Sequence, residues 1–167
     1  MSNEILYHVS EIADIKLFEP RTSESHDDAF VWAITGDRLH NYLLPRACPR
    51  VAYFANGNTV ATDVERFLGS SPGVVAVESD WADRIRNTVL YCYEFAPEAF
   101  TCLDAGAGYY VSRSPVKPIR RLIIDDPMQA IRERGVELRF LEDLRGFAAS
   151  IVASTLQFSL IRMRNAK

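Results

Sequence analysis

The 167-residue chain is poor in cysteine and in lysine, with three of each, and carries no surplus of positive charge. Cys48, Cys92 and Cys102 form no C-x-x-C pair, and an odd count of this kind excludes a disulfide framework and an ordinary structural zinc site. They read as reduced thiols of a cytoplasmic protein. No apolar run approaches the roughly 20 residues of a membrane span. The opening Met1-Ser2-Asn3-Glu4 has neither the basic nor the apolar part of a secretory leader, so no export is expected. A net charge of −3 supplies no bulk field for nucleic acid, and nucleic acid is not an expected partner. P-loop, HExxH, nucleophile-elbow and strand-borne GxGxxG patterns are also missing. Gly106-Ala107-Gly108 is too short for a dinucleotide fingerprint.

What is present is an ordinary globular composition, 48% hydrophobic and 25% charged, in a length that suits one domain over residues 1–167. There is no repeat, low-complexity segment or linker. Sixteen of the nineteen cationic side chains are arginines, so a local anion-binding patch is compatible with the acidic total.

Hydrophobic periodicity predicts mostly strands. They are expected at residues 5–10, 29–34, 50–55, 73–78, 89–95, 109–112, 119–124, 136–140 and 158–163. A short extended piece is expected at 15–18 and an edge strand after Pro97. Residues 22–28 are polar and turn-prone and read as an exposed loop. Asp37–Leu44 reads as a short helix that Pro45 stops. Asn56-Gly57-Asn58 reads as a turn. Thr62-x-x-Glu65 reads as a capping box opening a helix that ends near Gly69. Ser79 is expected to cap a helix reaching Arg86. Asp126 and Pro127 open a helix that Gly135 closes. Leu144, Phe147, Ala148, Ile151, Val152, Thr155 and Leu156 follow helical spacing and predict a C-terminal helix. The order lacks a steady βαβα rhythm, so an α+β fold of two small, mainly antiparallel sheets with short helices is expected.

Several residue types in this pattern have chemistry to offer. His8 and Ser10 sit at the end of the first strand, where an imidazole can meet a ligand hydroxyl or simply a backbone carbonyl. Arg21, Arg46 and Arg50 each follow a proline. A planar fork on a rigid backbone suits phosphate or carboxylate, and equally suits an internal ion pair. Trp32 and Tyr110 can stack on a base or fill a core. Glu94, on a buried strand, is costly there unless paired, and is the best carboxylate for acid/base work. His26 and His40 read as solvated.

The segments 6–10, 18–21, 30–33, 42–51, 108–112 and 158–166 together resemble a bacterial family known only as a domain of unknown function. More distantly, Tyr7-His8 with Ser10 resembles the first motif of the ADP-ribosyltransferase-like superfamily. That resemblance implies a split sheet, NAD as substrate, a ribose contact from His8 and a nicotinamide neighbour at Trp32. The third motif of that superfamily carries a catalytic Glu, and none lies around Tyr109–Ser112, so Glu94 would have to stand in. The implied activity is ADP-ribosyl transfer or NAD hydrolysis, in a pocket of His8, Ser10, Arg21, Trp32, Arg46, Arg50 and Tyr110. The alternatives are a non-catalytic module for a phosphorylated ligand or short RNA, or a protein-interaction domain. No metal is expected.

Overall fold

A computed structural model describes residues 4–167. Met1–Asn3, part of the stretch from which the lack of a leader is read, lie outside the described residues. The fold is α+β, with two sheets that are mostly antiparallel and a few short helices. The chain forms two compact units. One comprises the chain up to Tyr42 together with Val89–Asp125, and the other Leu43–Thr88 together with Asp126–Lys167.

The first unit holds strands β1 (Leu6–Ser10), β2 (Arg21–Ser23), β3 (His26–Thr35), β6 (Leu90–Phe95), β7 (Thr101–Asp104), β8 (Tyr109–Ser112) and β9 (Arg120–Ile124). Their order is β7-β8-β3-β1-β6-β9, with β2 paired to β3 alone. Register places Leu6 opposite Phe95, and His8 opposite Tyr93. On that face Leu6, Phe18, Val31, Ala33, Tyr93, Phe95, Phe100 and Val116 form one core cluster. Phe18 reaches it through a two-way backbone bridge to Val116, at 2.8 and 2.9 Å. The polar 22–28 stretch is exposed as expected, but it is not a free loop. Ser23 pairs with His26 and Arg21 with Phe30, so it closes a hairpin. The turn before β8 needs a glycine. Gly108 has φ +71°, and a Cβ there would lie 2.3 Å from Thr35 Oγ1.

The second unit holds β4 (Arg50–Phe54), β5 (Gly73–Glu78), β10 (Glu137–Leu141) and β11 (Gln157–Ile161), in the order β10-β5-β4-β11. Only β10 and β5 run parallel. β5 is buried at all six positions, which explains its unbroken apolar sequence Gly-Val-Val-Ala-Val before Glu78. Val51, Tyr53, Val74 and Ala76 share a cluster with Leu144, Ala148 and Ile151 of α4 (Leu144–Val152). Each buried Val, Leu or Ile among them contributes roughly 1.5–3 kcal/mol.

Helix ends differ from the sequence expectation where tertiary contacts compete. The helix read as 37–44 is a 3-10 helix, Gly36–Tyr42. The capping box at Thr62 does not form. Helix α1 (Ala61–Asp63) has Val60 as its N-cap, two residues before Thr62, and continues as a π-turn to Leu68. Asp63 instead accepts hydrogen bonds from Thr155 N at 2.8 Å and Thr155 Oγ1 at 2.6 Å. Thr155 lies three residues past the C-terminal helix, which stops at Val152. Leu156 stays in the core although it lies beyond the helix. Ser79 makes no cap, and a 3-10 turn, Ser79–Trp81, precedes α2 (Ala82–Arg86). Asp126 does cap α3 (Pro127–Glu133), accepting from Gln129 N at 3.0 Å, and Gly135 follows at φ +75°.

Glu137 and Arg139 form a polar cluster beside this core. Arg139 donates to both Glu137 oxygens, at 3.0 and 2.9 Å, and to Tyr53 Oη at 2.9 Å. Ser71 Oγ donates to Glu137 at 2.6 Å. The Arg139 and Ser71 hydrogen bonds hold the Glu137 carboxyl below its ordinary value of 4.5, and burial opposes them. A depressed folded-state value gives stability that is present above pH 4.5 and lost as pH falls through the folded-state value. Glu137 is 39% exposed, so screening keeps this below about 1 kcal/mol. Urea titrations from pH 7 to pH 3 should show a shallower acid loss in Glu137→Gln than in wild type. Parallel acid limbs would remove the assignment.

Candidate functional site

β1 is five residues long, and its alternation points Leu6, His8 and Ser10 to one face of the sheet. His8 Nδ1 lies 2.9 Å from the Trp32 carbonyl oxygen. A carbonyl only accepts, so Nδ1 carries the proton. The His8 ring also meets Phe18 edge-on, with ring centres 5.0 Å apart. Ser10 Oγ accepts from Ile12 N at 3.1 Å and starts the loop that follows. Tyr110 opposes Ala33 and packs on the same face. The Cys102 sulfur beside Tyr110 pushes its phenol up from the ordinary value, and burial adds to it.

The other face carries Trp32 and Glu94. Trp32 packs against His26, Phe30 and Tyr109 at ring-centre distances of 5.3, 5.8 and 5.9 Å. Its indole Nε1 is buried with no hydrogen-bond partner among the described residues. Glu94 is 6% exposed. Arg120 clasps its carboxylate in a two-pronged pair, Nε to Oε2 at 2.9 Å and Nη2 to Oε1 at 2.8 Å. That pair raises the Arg120 value further. Arg21 is exposed on β2, whose register opposes it to Phe30. The sheet therefore groups His8, Ser10 and Tyr110 on one face and separates them from Trp32 and Glu94.

Arg46 and Arg50 belong to the second unit. Arg50 is 2% exposed, and its guanidinium donates to Cys48 O at 2.9 and 2.7 Å and to Pro45 O at 2.7 Å. It organises the 45–49 loop from inside. Cys48 is buried in that loop, and burial pushes its thiol up to about 12, which makes it inert as a nucleophile. Arg46 is exposed.

One hollow in the first unit was not singled out by sequence reasoning. It has a volume of about 320 Å³, and Asp14, Lys16, Tyr93, Lys117, Arg120 and Arg121 are among its lining residues. The 11–16 loop forms one wall. Tyr93 Oη fixes that loop by donating to Ile12 O at 2.5 Å and accepting from Ile15 N at 3.1 Å. Arg121 donates to the Ala13 carbonyl and lies 5.4 Å from the Tyr91 ring centre. Asp14 pairs with Lys16 at 2.6 Å, and that hydrogen bond holds its carboxyl below the usual range. Two of the three lysines in the chain thus flank one hollow. The available signals were this scarcity and the Lys117-Pro118-x-Arg120-Arg121 run, but neither shows that the 11–16 loop comes to meet it.

Among the described residues, no group of three or more His, Cys, Asp or Glu is placed to hold a metal ion. No helix of the described residues is long and apolar enough to cross a membrane. Comparison with curated proteins and with solved structures finds no match, and nothing in it carries the ADP-ribosyltransferase resemblance. A family model described as a family of unknown function, DUF6886, matches residues 7–166. With nearly its whole length matched, the chain belongs to that family.

Proposed function

We propose that this protein binds a small phosphorylated ligand, NAD or another phosphorylated nucleotide among them, in the hollow between the 11–16 loop and residues 117–121, without cleaving it. The observation that carries this reading is the convergence of Lys16, Lys117 and Arg121 on one concavity of an acidic chain. Arg120 lines the same hollow with its guanidinium on Glu94, so its charge is locally offset. Asp14 offsets Lys16 in the same way. Lys117 remains to meet an anion, and Arg121, with one guanidinium nitrogen on the Ala13 carbonyl, offers the rest of its planar fork. A volume near 320 Å³ is at the small end for ligand sites, enough for part of a dinucleotide.

Transfer or hydrolysis of NAD needs a carboxylate beside the departing nicotinamide. Glu94 is the carboxylate the sequence offers, and its two oxygens are occupied by Arg120. This favours binding without bond cleavage over the transferase reading.

Calorimetric titration with NAD, ADP-ribose and pyrophosphate at low salt is the test. Lys117→Glu should weaken whichever probe binds by roughly tenfold or more, equivalent to about 1.4 kcal/mol. His8→Ala should change affinity by less than about twofold, because its imidazole is engaged with the Trp32 carbonyl. No heat from any probe with wild type would sink the proposal. Loss of binding in His8→Ala alone would move the site to the first strand. Nicotinamide release that disappears in Glu94→Gln would restore the enzyme reading.

A further inference from the structure

We propose that two copies of this chain join along the open edge of β9, continuing the seven-stranded sheet across a two-fold axis at Ile123. β9 is the last strand in the order β7-β8-β3-β1-β6-β9, and among the described residues it pairs with β6 alone. Four of its five residues are exposed. Ile123 is 58% exposed and Leu122 37%, with Ile119 just before them at 58%. An open edge carrying large apolar side chains is a template for another strand. Two arginines open the strand, but from Leu122 to Ile124 the edge carries no charge, proline or bulge, the devices that protect such edges.

The sequence of the edge selects its own partner and register. Backbone groups point alternately inward and outward along a strand, so two identical antiparallel strands pair regularly only when the axis falls on a residue. An axis at Leu122 would set Arg121 against Ile123 of the second copy. An axis at Ile123 sets Arg121 against Asp125, Leu122 against Ile124, and Ile123 against itself. The second register places opposite charges and apolar pairs together, the arrangement that stabilises cross-strand neighbours. Arg121 and Asp125 are both exposed, and Arg121 spends one guanidinium nitrogen on the Ala13 carbonyl, which leaves its other donors for Asp125. One step further out the register sets Arg120 against Asp126, but these keep their own partners, Glu94 and Gln129 N. The occupant is therefore a second copy, whose basic start and acidic end mirror those of the first. Arg121 lines the ligand hollow but Ile123 and Asp125 do not, so the Ile123→Lys and Asp125→Arg variants let this proposal and the binding proposal fail separately.

Sedimentation equilibrium and light scattering on the full chain, up to concentrations on the order of 100 µM, are the test. Wild type should weigh twice 18.9 kDa. Ile123→Lys should weigh 18.9 kDa with an unchanged circular dichroism spectrum. Asp125→Arg alone should weaken the dimer at least tenfold, and adding Arg121→Asp should recover it, because the swap restores both contacts with their signs exchanged. A monomeric wild type would overturn the proposal. So would a dimer indifferent to Ile123→Lys, or a double swap no stronger than its single parent. The swapped pair keeps the test informative should the lysine variant misfold.

Discussion

Arg50→Ala is expected to destabilise the protein by about 3–5 kcal/mol, the cost of leaving buried polar groups without their charged partner. The reason lies in the local sequence Pro45-Arg-Ala-Cys-Pro49. Each proline removes a backbone N–H, so the loop has more acceptors than donors. The buried guanidinium supplies what is missing, three short bonds to Cys48 O and Pro45 O and a longer one to Arg46 O at 3.5 Å. Cys48 N adds one bond of its own to Pro45 O at 3.0 Å. Arg50→Lys should recover less than half of the loss, since a single ammonium cannot reproduce the fork. Urea unfolding at constant m-value measures both. A loss under about 1 kcal/mol for Arg50→Ala would mean that water replaces the guanidinium without cost.

The second large effect concerns Glu94 and Arg120. Arg120→Met should cost about 2–3 kcal/mol, because it strands a carboxylate that is 6% exposed. The figure sits below that of a fully buried pair because the arginine side chain is 64% exposed and partly screened. Replacing both partners, as Arg120→Met with Glu94→Leu, should bring stability back to within about 1 kcal/mol of wild type. A double variant as poor as the two single losses combined would show that the pair is not coupled. The same double variant leaves Lys16, Lys117 and Arg121 in the hollow, so ligand binding should survive it.

The strands were readable for a physical reason. β5 is apolar at five successive positions and is buried on both faces. β6 alternates as expected, with Leu90, Cys92 and Glu94 on one side, because the pleat has period two. Asp126-Pro127 with Gly135 closed α3 as read, since cap chemistry is local. The capping box at Thr62 does not form because the helix is entered behind Val60, which puts Thr62 inside its first turn, and Asp63 beside it bonds Thr155, 92 residues away. The candidate site was less legible. The sequence marks Glu94 as costly unless paired, but nothing local points to Arg120, 26 residues on, as its partner. The strand-end position of His8 suits either a ligand or a carbonyl, and it is a carbonyl 24 residues away that engages its Nδ1.

By itself the sequence determined the α+β class, most strand positions and the capped helix α3, because hydrophobic period and cap chemistry act over a few residues. Only the tertiary structure decided which side chains share a face, what Arg50, Glu94 and His8 bond to, and that Lys16 and Lys117 flank one hollow. Pairing between strands dozens of residues apart sets those neighbours, and strand register is a property of two segments at once, not of either one alone.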